Sequence, residues 1–222
     1  MMEVLKMDNQ NLALENFFDG TRFLAPLYHG TDENVLIMTA EERKEMKRCS
    51  LILVECLYPL YNIDSLWQDK NYLSLSQDIQ GEIYNALLCA RAMFAKSSLF
   101  QYDSIYLTFN LGKAKSYASR AHIFGELGNS AYWLYYGAQL LNLPLLSMSD
   151  DQKQASETIL AAAKKVPKPI ILQFDNFDIS RLHNEDDRPI DNNLLKCYVV
   201  RDGSVRVIDD LELNSGKILQ VE

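Results

Sequence analysis

Apolar residues recur at helical spacing along most of the first two thirds of the chain. One helix is predicted from Thr39, which forms a capping box with Glu42, to Pro59, whose ring should stop or kink it. A second is predicted over 77–100, where apolar side chains repeat every three or four residues. Further helices are predicted at 8–18, 111–124, 131–141 and 150–166, with Gly125 and Gly128 as breakers between 124 and 131. The polar and aromatic segment 61–76 is interpreted as a loop.

The β pattern is concentrated after Pro167. The predicted strands are 23–29, 104–108, 169–174, 194–201, 205–208 and, with a weaker pattern, 217–221. Gly30-Thr31-Asp32 is interpreted as a turn that ends the first strand, and Asp202-Gly203 as a hairpin turn. Strands so far apart in sequence must meet in one sheet to be buried. This predicts the α+β class rather than a series of βαβ units.

Length and composition indicate one soluble domain. The chain has 222 residues, so we expect a single domain over 1–222, with a helical insertion around 39–100. Hydrophobic residues make up 48% of it, which is enough for an ordinary core. The formal charge of −8 does not favour the Lys- and Arg-driven attraction that holds nucleic acid. A specific nucleic-acid substrate stays open only if a local basic groove exists.

The cysteines and the N-terminus bear on the compartment. Cys49, Cys56, Cys89 and Cys197 form no CxxC pair, and we interpret them as reduced core residues of an intracellular protein. The N-terminus has no apolar run after a basic start, and no stretch reaches the ~20 apolar residues that cross a bilayer. We therefore expect a cytoplasmic protein with no membrane partner.

The candidate chemistry lies in two short segments. His29 is expected at the end of a strand, where Gly30 lets a ligand approach the main chain and Thr31 adds a hydroxyl group. Tyr106 lies near the end of another strand, and Tyr117 follows eleven positions later, in a helix where its ring could cover a flat ligand. Each fragment alone is more often structural than functional. Their joint occurrence, in this order and in this strand and helix context, favours a binding site.

Other kinds of site are not indicated. His29, His122 and His183 share no metal-ligand spacing, so no metal is expected. Neither GxGxxG nor GxxxxGK occurs, which argues against a Rossmann or P-loop cofactor site. The basic residues on the helix after the second strand, which could serve phosphates, are Lys113, Lys115 and Arg120.

Together these segments resemble the ADP-ribosyltransferase superfamily, in the branch shared by diphtheria toxin and the poly(ADP-ribose) polymerases. Members carry a strand ending in YHG[ST], here Tyr28-His29-Gly30-Thr31, and a later strand ending in Y[FL][AT], here Tyr106-Leu107-Thr108. A helix with a tyrosine about eleven residues on follows, here Ser116-Tyr117-Ala118. The resemblance extends over residues 23–120. It implies an ADP-ribosyltransferase-like split β-sheet core with additional helices.

By this resemblance the chain would use NAD as a substrate. His29 would bond the 2′-hydroxyl of the adenosine ribose, and the Gly30 backbone would read the nicotinamide carboxamide, with Thr31 beside them. Tyr106 would flank the nicotinamide, and Tyr117 would stack on its ring. Nicotinamide would leave from an oxocarbenium-like state, and an acceptor, expected to be a protein, would attack the freed ribose carbon. The implied function is mono-ADP-ribosyl transfer by a toxin or effector, in its own or a host cytoplasm.

Two positions depart from the family pattern. A serine that bonds the carboxamide in the polymerases is replaced here by Ala114. The late-strand glutamate of the family has no counterpart in 194–200, where Cys197, followed by Tyr-Val-Val, is the occupant of its position. Glu126 and the acidic loop 185–187 are other candidate acids, although each is more typical of a solvated loop.

Two alternatives to an active transferase stay open, and the missing glutamate favours the first of them. One is a catalytically degenerate ADP-ribosyltransferase-like module that binds or interacts without transfer. The other is the class of RNA 2′-phosphotransferases, relatives of the same fold that use NAD to remove a phosphate. Those enzymes depend on basic residues for the RNA phosphate, and the acidic composition counts against them here.

Overall fold

The structure is a computed structural model that describes residues 19–95, 105–119, 123–184, 188–190, 204–208 and 215–220. Its described strands form one six-stranded antiparallel sheet, and helices accompany it, which confirms the α+β class. The strands are β1 (Leu27–Asp32), β2 (Tyr106–Thr108), β3 (Pro169–Phe174), β4 (Leu182–His183), β5 (Ser204–Val207) and β6 (Lys217–Gln220). Their order across the sheet is β4-β5-β2-β1-β3-β6, so strands distant in sequence lie side by side.

Most described helices follow the apolar periodicity of the sequence, although the helix predicted over 111–124 ends at Ala118. They are α1 (Glu33–Leu36), α2 (Ala40–Leu57), α3 (Lys70–Leu73), α4 (Gln77–Phe94), α5 (Leu111–Ala118), α6 (Gly125–Leu140) and α7 (Asp150–Ala163). Short 3₁₀ turns lie at Tyr58–Leu60, Ile63–Gln68, Leu145–Ser147 and Ile179–Arg181. The segment predicted as a loop over 61–76 therefore contains a 3₁₀ turn and the short helix α3.

Four helices, α2, α4, α6 and α7, pack around one apolar core and are called the helical half below. The α2 capping box is present: Thr39 Oγ1 accepts from the Glu42 amide at 3.2 Å, and the Glu42 carboxylate accepts from the Thr39 amide at 2.7 Å. Ser149 and Gln152 begin α7 in the same way. Fully buried members of the core include Leu53, Leu57, Leu87 and Leu134. Each such side chain contributes about 1.5–3 kcal/mol of burial, so tertiary packing stabilises helices that local caps begin.

The six strands and α5 are called the sheet half. β1 and β3 pair along their whole length, from Leu27 opposite Phe174 to Asp32 opposite Pro169. One face of the sheet is covered by an apolar core that includes Phe23, Leu27, Leu107, Leu172, Phe174 and Val205. On the other face α5 lies across β1 and β3, with Ala114 and Ala118 packed against Ile171.

The predicted turn at Gly30-Thr31-Asp32 is wrong, because β1 continues through all three residues. The Asp32 side chain is fully buried and accepts from the backbone N–H of Asn34 at 2.8 Å and of Lys168 at 2.6 Å. It therefore caps α1 and ties it to the chain before β3. A residue typical of turns serves here as a helix cap.

The predicted break at Gly125 and Gly128 is also wrong, because α6 begins at Gly125 rather than near 131. Gly125 has φ 65° and directs the chain into the helix, where a side chain would be strained. A Cβ on Gly128 would lie 1.6 Å from the Ile123 carbonyl oxygen, so only glycine lets that segment pass. The predicted helix 8–18, the predicted strand 194–201 and the turn Asp202-Gly203 lie outside the described residues.

Candidate functional site

The site predicted from sequence centres on the junction of β1 and β2. The ladder between these strands contains one pair, Tyr28 opposite Thr108. If the pairing continued in the same register, Gly30 would lie opposite Tyr106. The Val207 amide donates to the Ile105 carbonyl at 2.9 Å. Antiparallel strands alternate the direction of their backbone polar groups, so those of Tyr106 point the opposite way, toward β1. Gly30 lies two residues after Tyr28, so by the same alternation its N–H and C=O point toward β2. It lies just beyond the single pair of the ladder.

The His29 side chain connects β1 to β2 at this end of the ladder. Its Nδ1 lies 3.0 Å from the Tyr106 carbonyl oxygen. A carbonyl only accepts, so Nδ1 carries the proton and donates, and the neutral ring presents Nε2 as an acceptor. Burial of the half-buried side chain lowers the pKa of His29, and the hydrogen bond to the Tyr106 carbonyl opposes that change only in part. The imidazole is therefore neutral at pH 7, with one nitrogen committed to the fold and the other available.

The packing of α5 against β1 requires glycine at position 30. A Cβ built on it would lie 1.9 Å from the Ala114 carbonyl oxygen and 2.7 Å from the Ala118 backbone nitrogen. Helix α5 therefore rests directly on the β1 backbone, and Ala114 is fully buried there. The replacement of the family's serine by alanine at 114 thus falls at a close-packed contact of helix and sheet.

The two tyrosines and Thr31 occupy different surroundings. Tyr106 is half-buried and shares a face of the sheet with Thr108 and, through it, with Tyr28, which packs beside α5. Tyr117 is 47% exposed on α5, with Lys113 Nζ 6.0 Å from its ring centroid. Thr31 is 3% exposed, in the pair with Ile170, so the hydroxyl expected at a rim lies inside the sheet half.

Strand alternation places His29 on the opposite face from Gly30 and α5. The structure therefore brings His29, Gly30 and Tyr106 together at the open end of the β1–β2 ladder. Tyr117 belongs to the α5 side of the sheet. His29 and Tyr117 thus lie on opposite faces of the sheet. A ligand that contacts both has to pass between β1 and β2, beyond the Tyr28–Thr108 pair.

The alternative acids are not gathered at this junction by the described chain. Glu126 lies in the first turn of α6, where its carboxylate accepts from the Cys89 thiol of α4 at 3.2 Å. That contact belongs to the helical half. Cys197 and the acidic loop 185–187 lie outside the described residues.

Sequence reasoning missed a set of polar residues next to Tyr106. Arg206 of β5 lies directly opposite Tyr106, and Ser204 lies opposite Thr108. Both are buried, at 7% and 5% exposed respectively. The alternation of Ser204 and Arg206 with two apolar valines was the available signal, since it indicates a strand with one polar face.

Two surface cavities lie elsewhere. One of about 320 Å³ lies between α2 and the start of α7 and is lined by residues such as Cys56 and Asp151. The other, of about 300 Å³, follows β3 and is lined by residues such as Arg22 and Phe177. Neither cavity is lined by His29, Gly30, Tyr106 or Tyr117, so the candidate site is distinct from both.

Within the described ranges, no three His, Cys, Asp or Glu side chains lie close enough to hold a metal ion. None of the helices that the structure describes is long and apolar enough to span a bilayer. Compared with protein-family models, curated proteins and solved structures, the chain has no significant match. The resemblance to ADP-ribosyltransferases thus depends on the segments around His29, Tyr106 and Tyr117.

Proposed function

We propose that this protein is an NAD-dependent mono-ADP-ribosyltransferase that releases nicotinamide and transfers ADP-ribose to a macromolecular acceptor. The observation that carries the proposal is the junction of β1 and β2. There the His29 imidazole donates to the Tyr106 carbonyl, beside the backbone groups of Gly30 that point toward β2. In this proposal the short β1–β2 ladder is where an ADP-ribosyltransferase-like sheet would split.

The chemistry of each group suits a part of NAD. A neutral His29 with Nε2 as acceptor can receive the hydrogen of a ribose hydroxyl. The N–H and C=O of Gly30 point in the same direction and offer one donor and one acceptor. A carboxamide edge requires this pair of groups. Tyr106 and the exposed ring of Tyr117 supply aromatic surface for a flat nicotinamide.

Rate acceleration in this scheme comes from positioning. Fixing the nicotinamide ring while the glycosidic bond lengthens restricts the substrate to geometries near the oxocarbenium-like state. Nicotinamide leaves with the bonding electrons, and the acceptor nucleophile forms the new bond to the ribose carbon and loses its proton. We place this reaction in a cytoplasm, the protein's own or that of a host, with a protein as acceptor.

A related module that binds NAD or a partner without transfer is the second candidate. The observation in its favour is the absence of glutamate from 194–200, where the family carries the carboxylate that activates the acceptor. The contact of Glu126 with Cys89 adds weight to this candidate, since it engages one possible substitute acid within the helical half.

The experiment is NAD binding by calorimetry together with nicotinamide release, on the wild type, His29→Ala and Tyr117→Ala. Phe94→Ala is the matched control, because Phe94, like Tyr117, is a helical aromatic residue that is 47% exposed. We expect His29→Ala and Tyr117→Ala each to weaken NAD binding at least about tenfold, the loss of roughly one stacked ring or one hydrogen bond to a bound group. Phe94→Ala should bind as the wild type does.

The outcomes separate the candidates. Nicotinamide release by the wild type that both variants lose supports the transferase. Binding that both variants weaken, without release in the presence of a cell extract as acceptor source, supports the binding module. A folded wild type that does not bind NAD at millimolar concentration contradicts both.

A further inference from the structure

A group of polar residues crosses the sheet beside the candidate site. Arg206 lies opposite Tyr106 on one side and opposite His183 on the other, and Ser204 lies opposite Thr108. Directly paired residues project from the same face of a sheet. We call Ser204, Arg206, Thr108 and His183 the β5 patch. It shares its face with Tyr106 and α5.

The β5 patch contains a buried hydroxyl group that the described chain does not satisfy. Ser204 is 5% exposed, and its Oγ has no hydrogen-bond partner among the residues that the structure describes. Buried hydroxyls are almost always bonded in native proteins. In the helical half, the Oγ of Ser50, which is also buried, donates to the Met46 carbonyl at 2.7 Å. Ser204 therefore presents a donor for which the sheet half supplies no described acceptor.

The chemistry of the patch suits an oxyanion. Arg206 carries a planar set of N–H donors that matches phosphate oxygens, and the Ser204 hydroxyl adds a donor on the same face. Arg206 is 7% exposed, so a ligand that reaches it has left bulk water. Charge-assisted hydrogen bonds are stronger in such a buried place than in water. Tyr106 and His183, on either side of Arg206, are half-buried, so the patch lies beside partly exposed residues.

The position of the patch suits the phosphates of a dinucleotide. Gly30 and Arg206 are two strand spacings apart, about 10 Å along the sheet, if β1 and β2 keep the usual separation. A ribose and the long side chain of arginine together bridge that separation. A ligand whose nicotinamide lies at Gly30 can therefore direct its phosphates toward β5.

We propose that the β5 patch binds phosphate oxygens and, resting on the proposed function, that these belong to the pyrophosphate of NAD. Ser204 donates through Oγ to a phosphate oxygen, and Arg206 contacts the same group through its guanidinium. The patch thereby fixes the middle of the ligand, while Gly30 and Tyr106 hold the nicotinamide and His29 bonds the 2′-hydroxyl of the adenosine ribose.

The test is a titration series on one set of variants. Inorganic pyrophosphate, nicotinamide, nicotinamide mononucleotide and NAD are titrated into the wild type, Ser204→Ala, Arg206→Gln and Arg206→Lys. Ser50→Ala is the matched control, a buried serine of the helical half. Thermal unfolding of each variant is recorded first. Ser204→Ala keeps the test available if the arginine variants do not fold, because removing an unsatisfied hydroxyl does not cost stability.

We expect Ser204→Ala to weaken pyrophosphate and NAD binding about tenfold, the usual effect of losing one hydrogen bond to a charged group. Arg206→Gln should weaken both further, and Arg206→Lys should fall between, since it keeps the charge without the planar fork. Nicotinamide, which has no phosphate, should bind all these variants as it binds the wild type. Ser50→Ala should change none of the four affinities.

Three results would overturn the assignment. Absence of pyrophosphate binding to the wild type is one, and wild-type affinity for pyrophosphate in folded Ser204→Ala and Arg206→Gln is another. Equal weakening of nicotinamide and NAD is the third, since it would mean that the patch acts by orienting Tyr106. A wild type that binds pyrophosphate through Ser204 but does not bind NAD contradicts the proposed function. It still supports a phosphate site, whose ligand is then another phosphate-bearing molecule.

Discussion

The helical half and the sheet half treat their buried polar groups differently. In the helical half, the buried hydroxyls of Ser50 and Tyr61 donate to backbone carbonyls, those of Met46 and Leu134 respectively. In the sheet half, Ser204 Oγ has no described partner, and the ladder between β1 and β2 ends after one pair. The comparison indicates that the helical half provides packing, whereas groups capable of binding a ligand are gathered in the sheet half.

Ionisable groups follow the same division. In the helical half, burial raises the pKa of the Cys89 thiol to about 12, and the nearby Glu126 carboxylate adds to that change. Such a thiol is protonated and unreactive at neutral pH. In the sheet half, burial lowers the pKa of His29 and keeps the ring neutral beside an open strand edge. Burial suppresses reactivity in the first case and prepares an acceptor in the second.

The largest expected effect is on stability alone and comes from the helical half. Leu53→Ala removes a fully buried side chain from the helical core and should lower the free energy of unfolding by about 2–5 kcal/mol. Urea unfolding followed by circular dichroism measures this change. NAD affinity, measured where the variant is still folded, should stay at the wild-type value. A loss of affinity in the folded variant would break the division between the halves.

A smaller effect on stability, but a larger one on binding, is expected from Gly30→Ala. The new methyl group would meet the Ala114 carbonyl, so α5 must shift, at a cost of about 1–3 kcal/mol. The shift also displaces Tyr117, and NAD binding should be lost. Gly81→Ala is the control, since Gly81 is exposed within α4 with no atom near its Cβ position. That change should stabilise the protein by about 0.5–1 kcal/mol and leave binding intact.

The smallest expected effect is a pH dependence that originates at His29. Its folded pKa lies below the ordinary value of about 6.5, so the unfolded chain takes up a proton first as pH falls. Stability is therefore full above pH 6.5 and declines below it toward the folded pKa, by at most about 1.4 kcal/mol per pH unit. NAD affinity should decline over the same range, since protonation removes the Nε2 acceptor.

His29→Gln tests this pH dependence. Its stability between pH 7.5 and 5 should vary less than that of the wild type, because glutamine does not titrate. Urea unfolding across this range gives the comparison. The carboxylates with lowered pKa values, such as Glu42, act at more acidic pH and do not interfere. Identical pH profiles for the two proteins would contradict the assignment of this titration to His29.

The sequence was sufficient for features that depend on local signals. The α2 start at Thr39 follows from a capping box, and β3 at 169–174 follows from a short apolar run between proline and polar residues. Both are determined within a few residues of chain. The association of the His29 and Tyr106 segments was implied only by the family resemblance, which assigns both residues to one NAD site.

The features that were missed depend on distant parts of the chain. Gly128 permits the approach of Ile123, and Asp32 bonds to Lys168, so neither role is visible in the neighbouring residues. Thr31 was expected at an exposed rim because β1 was thought to end before it. Arg206 and Ser204 were overlooked because alternation indicates a polar face but does not tell which strand lies beside it. Pairing of β5 with β2 gives that face its neighbour.

The most direct test of the account is to follow the imidazole signals of the three histidines by nuclear magnetic resonance during a titration with NAD. His29→Gln assigns the His29 signal. We expect that signal to show a pKa below about 6.5 without ligand and to shift strongly as NAD is added. Smaller changes are expected at His183, and none in Phe94→Ala relative to the wild type. An unchanged His29 signal in a folded protein saturated with NAD would contradict the claim that the β1–β2 junction is the NAD site.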